Sequence, residues 1–276
     1  MNQGALCLMR RALRQSLAWF VLLPLVISGC RGLGQTPPPP PYSVESLGTA
    51  IALTENAPPP GYETIAFPLV DDGLEKLLGY HYTVEVRFEG AFDQDSRPAS
   101  AHIRAEVWWD SVAPARRVVL DADGEVFAAE SQRYEAVRLG ERYYLVDENG
   151  RCLINAEETA RAVAGFDAGS LVGGVAETPY SGIQAILNNA QAYRYDVTAQ
   201  NAILPAVNLV EDSALVIVGE LWIAPEYQVA VRYYANVDVS RVRLLEGEGL
   251  VSGQVFIRYD ATDLGVVPNI SIPYGC

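Results

Sequence analysis

The chain has 276 residues, of which 20 are Lys or Arg and 34 are Asp or Glu, so its formal charge at pH 7 is -14. This balance argues against a nucleic acid as partner, because most of the surface would repel a polyanion. Half of the residues are hydrophobic and 20% are charged, which is typical of a chain that buries a core, and the length suits a single all-β domain.

Residues 1–29 have the organisation of an export signal. Arg10, Arg11 and Arg14 form a basic start, and an apolar run follows from Leu17 to Ile27. This run is too short to be a membrane anchor, since roughly 20 apolar residues are needed to cross a bilayer as a helix. We therefore expect residues 1–29 to be a signal peptide that is removed after export.

The end of this segment, Val26-Ile27-Ser28-Gly29-Cys30, resembles the lipobox of bacterial lipoproteins. The resemblance implies that Cys30 becomes the first residue, carries acyl chains and anchors the protein at the extracytoplasmic face of a membrane of the bacterial cell envelope. Two or three acyl chains would hold a protein stably, whereas one holds it only marginally. The alternative is a plain secretory cleavage site beside an incidental cysteine.

Residues 30–61 contain two proline runs, Pro37–Pro41 and Pro58–Pro60. Such runs favour an extended polyproline conformation and act as semi-rigid spacers. We predict that residues 30–61 are a tether and that one folded domain occupies residues 62–276, with a possible short helix or strap over residues 42–57.

Two cysteines, Cys152 and Cys276, remain once Cys30 is acylated. In an oxidising exterior they are the right number for one disulfide. The alternative is two free thiols, and a metal site needs more ligands than this pair offers. We expect neither a metal nor a cofactor.

Alternation of apolar and polar residues dominates from Tyr80 onward. Residues 82–88 and 103–109 each have one apolar face and are separated by a polar stretch, which predicts a long hairpin. Further strands are predicted at residues 117–121, 132–139, 142–146, 215–223, 227–239 and 250–259.

The middle of the chain has a different period. Asn155 and Glu158 fit a capping box for a helix over residues 156–166, and the spacing of apolar residues predicts a second helix over residues 181–192. The glycines between them predict a flexible apolar loop near Leu171 that could serve as a lid. The predicted fold is mainly β (α+β), with a meander of antiparallel strands curved around helices.

The order of these features resembles the LolA/LppX superfamily of bacterial lipoproteins and lipid carriers. The lipobox, the spacer, the long strands, the helical pair and the stretch Gly219–Ala224 running into Val229–Tyr233 carry the resemblance, which covers roughly residues 62–276. It implies an unclosed half-barrel with helices covering a concave face that holds acyl chains, and carriage of a lipid or lipoprotein across the envelope.

Candidate catalytic residues are few. His81 and His102 lie on the polar sides of predicted strands, where a solvated histidine is more common than a catalytic base. The stretch Gly249–Gly253 has its serine one place too late for a nucleophile elbow. We therefore expect no enzyme, because a hydrolase would need one of these histidines beside a nucleophile in a cleft.

Aromatic residues are the better candidates for a binding role. Trp109, Trp222, Tyr233 and Phe256 fall on predicted strands and, with Leu171, are candidates to line a cavity for an acyl chain. The alternative is ordinary core packing, which uses the same residue types. The leading hypothesis is a lipid-anchored protein that binds or carries a hydrophobic ligand or lipid. The alternative is a non-catalytic surface module that binds an unknown protein partner through a sheet edge.

Overall fold

A computed structural model describes residues 56–127, 132–245, 247 and 249–276. The predicted signal peptide, the predicted acylation site Cys30, the first proline run and residues 42–55 of the predicted helix or strap lie outside these residues. The second proline run is described, and there the amide of Tyr62 donates to the carbonyl of Pro59 at 3.0 Å, closing a turn just before the first strand.

The described residues form one antiparallel sheet of 12 strands. The strands are β1 Thr64–Phe67, β2 Gly79–Phe92, β3 Pro98–Asp110, β4 Ala115–Asp123, β5 Gln132–Leu139, β6 Arg142–Asp147, β7 Gly174–Leu187, β8 Ala190–Val197, β9 Ala202–Ile203, β10 Val207–Ala224, β11 Val229–Leu244 and β12 Val251–Thr262. Their order across the sheet is β1-β7-β8-β10-β11-β12-β2-β3-β4-β5-β6, and β9 pairs with β7. Strands β1 and β6 are the two edges, so the sheet is a curved half-barrel that does not close, and the predicted fold class is confirmed.

The hairpin of β2 and β3 follows the predicted alternation. Tyr82 pairs with Val107 and Val84 pairs with Ala105, and these four side chains are buried on the concave face. The predicted meander is wrong at two points, because β12 lies beside β2 along residues 81–92 and β1 pairs with β7. The last long strand thereby joins two runs of sequential strands into one sheet.

The first predicted helix is confirmed. Helix α1 spans Glu157–Ala164, buries Ala160 and Val163, and packs on β4, β5 and β6. The predicted capping box is wrong: Asn155 has a φ of 65° and the helix begins after Ala156 without a side-chain cap.

The second predicted helix, over residues 181–192, is wrong. This segment is the hairpin of β7 and β8, turned by Asn188 and Asn189, whose φ angles are 51° and 66°. Two consecutive positive φ angles are typical of a tight hairpin turn that asparagine tolerates. The side chain of Asn188 also donates to the carbonyl of Ala261 at 2.7 Å. Of the residues expected on the buried side of a helix, Ile183 and Ile186 are 43% and 80% exposed.

The predicted flexible glycine loop is also wrong. Residues Ala168–Val172 form the short helix α2, in which the Asp167 carboxylate accepts from the amide of Ser170 at 2.7 Å. A Cβ atom at Gly169 would collide with Asp71 and one at Gly173 would collide with the carbonyl of Ile203. These glycines therefore allow close packing of buried backbone rather than motion.

Candidate functional site on the concave face

A row of buried tyrosines crosses the concave face. Tyr195 on β8 and Tyr233 on β11 are both register partners of Leu221 on β10, and Tyr233 is in turn the partner of Tyr259 on β12. The ring of Tyr82 on β2 lies 5.4 Å from that of Tyr259, centroid to centroid. We call Tyr82, Tyr195, Tyr233 and Tyr259 the tyrosine belt; each is at most 1% exposed.

The hydroxyls of the belt are unequally satisfied. Tyr195 donates to the carbonyl of Tyr62 at 2.6 Å, and the Arg116 guanidinium reaches the hydroxyl of Tyr82 at 3.4 Å. The hydroxyls of Tyr233 and Tyr259 are buried and have no hydrogen-bond partner among the described residues. Burial raises the pKa of both phenols, so they stay neutral under physiological conditions.

Two chain segments, residues 69–77 and 166–173, are joined to each other near Tyr82 of the belt, and we call them the cover. The Asp71 carboxylate joins them by accepting from the amides of Ala168 at 2.8 Å and Gly169 at 3.0 Å. The amide of Val70 adds a bond of 2.9 Å to the carbonyl of Gly173. Burial raises the pKa of Asp71, and these amide bonds offset part of that rise.

The cover is also attached to the sheet by a cation. Arg116 on β4 donates to the carbonyl of Phe166 as well as to Tyr82. Its Nε atom and that of Arg138 are buried without a partner among the described residues. The concave face is therefore apolar toward β10 and β11 and partly polar toward β4 and β5.

An apolar seam lies between Leu171 of the cover, residues 204–207 and the sheet. It is lined only by apolar side chains: Val86, Phe88, Ala101, Leu171, Leu204, Ala206, Val207, Leu244, Leu245, Val255 and Ile257. The free volume among them is about 10 Å³, which is room for about one water molecule. The protein's own side chains therefore fill this part of the concave face.

Three of the predicted cavity residues lie on the concave side. Tyr233 is in the tyrosine belt, and Leu171 on α2 lines the seam. Trp109 lies farther along the sheet, beside Tyr80 in the register, with the Arg138 guanidinium 5.2 Å from its ring centroid. These three are separated by other packed side chains and do not surround a common cavity.

The other two predicted cavity residues require a correction, because they lie on the convex face. Trp222 follows Leu221, which points to the concave face, and neighbouring residues of a strand point to opposite faces. Phe256 likewise lies between the buried residues Val255 and Ile257, and the Arg87 guanidinium lies 5.0 Å from its ring centroid. Neither ring can line the concave seam.

The predicted disulfide is present. Cys152, after β6, is bonded to Cys276, 124 positions later in the chain. The bond holds the last residue of the chain beside the outer strand of the sheet. Closing a loop of this length stabilises a fold by at most about 4 to 5 kcal/mol in chain-entropy estimates.

One histidine contacts a hydroxyl. His81 Nδ1 lies 3.1 Å from Thr262 Oγ1 and 4.0 Å from the Asp263 carboxylate. A catalytic triad needs the acid at the opposite ring nitrogen, but His81 Nε2 has no partner in the described part of the chain. His102 lies between Glu85 and Asp123, at 3.2 and 3.4 Å. This geometry does not assemble a nucleophile, a base and an orienting acid.

Asp71, Arg116, Tyr195 and Tyr259 are the important residues of the face that sequence reasoning missed. Tyr195 and Tyr259 occupy alternating positions in strands, so strand periodicity could have found them. Asp71 and Arg116 act through partners 97 and 50 positions away, and no local pattern signals such contacts.

Comparison with known proteins adds no assignment: no protein-family model and no curated protein matches this chain. Within the described residues, no helix is long and apolar enough to cross a membrane. The same part of the chain holds no group of three or more His, Cys, Asp or Glu side chains placed to bind a metal ion.

Proposed function

We propose that this protein is a lipid-anchored protein of the bacterial envelope that binds one hydrophobic ligand, such as an acyl chain, between the cover and the sheet. The observation that carries the proposal is the wholly apolar lining of the seam. The cover beside it consists of short segments held by Asp71, by Arg116 and by the bond of Val70 to Gly173, and the sheet does not close.

Binding must be coupled to opening, because about 10 Å³ of free volume holds no acyl chain. A ligand would replace side chains such as Leu171 and Leu204 in the seam. Both leucines are only partly buried, so exposing each costs at most about 1.5 to 3 kcal/mol, whereas each buried methylene of a ligand contributes about 0.8 kcal/mol. A long acyl chain can therefore offset the displacement of two leucines, and a short one cannot.

The experiment is a comparison of lipid content and probe binding. Protein purified from its native membrane in mild detergent is extracted with organic solvent, and the extract is examined by mass spectrometry. In parallel, the delipidated protein is titrated with a fluorescent long-chain fatty acid. We expect a co-purifying lipid and saturable binding of the probe.

A seam variant and a surface variant make the titration specific. Leu171→Arg places a charge in the seam and should abolish probe binding, whereas Ile186→Arg, at a position 80% exposed, should leave it unchanged. Absence of both lipid and probe binding in the wild type would overturn the proposal, as would equal binding by the two variants.

A second candidate function is a non-catalytic surface module that binds another protein through a sheet edge. The observation that favours it is the incomplete pairing of β10, where part of a long strand has a neighbour on one side only.

A further inference from the structure

Strand β10 is paired far more completely on one side than on the other. It pairs with β11 over Val207–Leu209 and again over Ala214–Ala224, but with β8 only over Gly219–Ile223. No strand of the described residues pairs with Ala214–Val218 on the side away from β11. We call Ala214–Val218 the free edge.

The neighbouring strand shows which main-chain groups of the free edge point outward. The carbonyl of Asp196 on β8 accepts from the side chain of Asn201, which also donates to Thr178 on β7. The main-chain N–H and C=O groups of Asp196 therefore point toward β7. The direction of the main-chain groups alternates from residue to residue along an antiparallel strand. Those of Val197 therefore point to β10, and those of its register partner Gly219 point to β8.

The same alternation continues into the free edge. Leu215 and Ile217 have the orientation of Gly219, so their N–H and C=O groups point to the open side. Ala214, Val216 and Val218 direct theirs to β11, with which they are in register. The free edge therefore offers two donors and two acceptors in the spacing that an added strand requires.

The side chains of the free edge are apolar. Val216 and Val218 are 62% and 71% exposed on the convex face, and Ile217 is buried on the concave face. Proteins commonly protect an exposed edge with lysine or proline, and Ala214–Val218 contains neither. Beyond it the strand is irregular, since Asp212 has a φ of 64° and the register shifts between Leu209 and Ala214.

Acidic residues flank the free edge at both ends. Asp196 and Glu220 lie at one end and share a single arginine, Arg194, at 2.8 and 3.6 Å. Glu211 and Asp212 are exposed at the other end, and the exposed Arg241 and Arg243 on β11 equal them in number. The acidic excess at the first end, together with the formal charge of -14 of the whole chain, favours a basic partner.

In the register centred on Val216, a second copy of the chain fits the free edge poorly. Antiparallel pairing of two copies about Val216 would set Glu220 of one copy opposite Asp212 of the other, twice in a symmetric dimer. Like charges directly opposite each other destabilise a strand pair.

We propose that the free edge accepts an extended segment of another protein as an added strand, in which apolar side chains alternate with polar ones and lysine or arginine residues flank them. Main-chain bonds to Leu215 and Ile217 would hold the segment, its apolar side chains would cover Val216 and Val218, and its basic ends would face Glu220 and Asp212. This site is independent of ligand binding on the concave face.

The test uses the mature chain and a short synthetic peptide in which valines alternate with threonines and a lysine stands at each end, measured by calorimetry or fluorescence anisotropy. A matched peptide carries glutamates in place of the lysines. Two further peptides carry N-methyl groups on every second residue, in the two possible phases. We expect the lysine peptide to bind saturably, the glutamate peptide not to bind, and one methylated phase to bind while the other does not.

Protein variants locate the binding. Leu215→Pro removes one outward N–H without removing a bond to β11, so binding of the lysine peptide should weaken about three- to tenfold. Val218→Lys places a positive charge at the free edge that repels the lysine peptide, and it does not alter the backbone. It therefore serves as the test variant if Leu215→Pro unfolds. Val266→Lys, at a valine 59% exposed outside the strands, is the control that should bind like the wild type.

Three results would overturn the proposal. The first is equal binding of the lysine and glutamate peptides, and the second is equal binding by the wild type and Val218→Lys. The third is a concentration-dependent dimer that Val218→Lys abolishes, which would assign the free edge to a second copy of the chain.

Discussion

The concave face and the free edge of β10 differ in which of their groups lack a partner among the described residues. On the concave face the side chains are packed, and polar atoms are left without a partner among the described residues, including the hydroxyls of Tyr233 and Tyr259 and the Nε atoms of Arg116 and Arg138. At the free edge the main-chain groups of Leu215 and Ile217 have no strand partner among the described residues, and the apolar side chains of Val216 and Val218 are exposed. A ligand of the concave face must therefore displace part of the protein, whereas a ligand of the free edge finds its site already formed.

The largest expected effect is the difference in stability loss between a substitution on the packed side of β10 and one on its exposed side. Leu221 is fully buried beside the tyrosine belt, and Leu221→Ala should lower the free energy of unfolding by about 2 to 5 kcal/mol because it leaves a cavity. Val218→Ala, on the same strand, should change it by less than about 0.5 kcal/mol. Denaturant unfolding of the two variants makes the measurement, and equal losses would show that Val218 is covered in solution.

The next effect concerns the cover. Asp71→Ala leaves the buried amides of Ala168 and Gly169 without their acceptor, at a cost of about 1 to 3 kcal/mol. Asp71→Asn keeps one acceptor and should lose less. Hydrogen exchange should increase over residues 166–173 before it does in β11, and uniform acceleration along the chain would contradict a cover that opens separately.

Because the pKa of Asp71 is raised, the difference in stability between the wild type and Asp71→Asn should depend on pH. Burial, the largest cause, sets the folded pKa of the carboxyl above the unfolded one. The folded state then holds the proton more tightly, so its stability falls as pH rises from about 4 through the folded pKa. Measured against Asp71→Asn, which does not titrate, the wild type should lose stability over that range and stay level above it.

A smaller effect compares two phenols of the tyrosine belt. Tyr195→Phe loses the bond to the carbonyl of Tyr62 and should cost about 0.5 to 1.5 kcal/mol. Tyr233→Phe removes a buried hydroxyl that has no partner among the described residues, so it should be neutral or stabilising. A loss at Tyr233 comparable to that at Tyr195 would indicate a bound water or ligand at its hydroxyl.

The sequence predicts the strands of this fold better than it predicts the middle of the chain, for a physical reason. In β2, β3 and β11 one face is buried along most of the strand, so apolar and polar residues alternate in the sequence. In residues 166–192 the conformation depends on distant partners: Asn188 bonds to Ala261 and Gly169 packs on Asp71. A helical spacing of isoleucines there was coincidental, and the glycines reflect close packing.

The same distinction explains the candidate site. Tyr233 was identified because its strand alternates, and the disulfide was predictable because two cysteines allow one pairing. Trp222 and Phe256 were assigned to the concave side although the parity of their own strands places them opposite Leu221 and Ile257. The cover was not predictable, because Asp71 and Arg116 act across the fold.

The smallest expected effect lies on the convex face, at His81. Its ring stacks on Trp108 with the centroids 4.7 Å apart, and burial lowers its pKa while Glu106 and Asp263 raise it in part. Because the folded pKa lies below the unfolded one, the unfolded state gains its proton first as pH falls, and stability decreases below about pH 6.5. His81→Phe should remove this part of the pH dependence, while His102→Gln should retain it. Unfolding curves measured between neutral and mildly acidic pH test the two variants. If the free energy of unfolding depends on pH in His81→Phe as it does in the wild type, the imidazole of His81 is hydrated on the convex face of the wild-type protein.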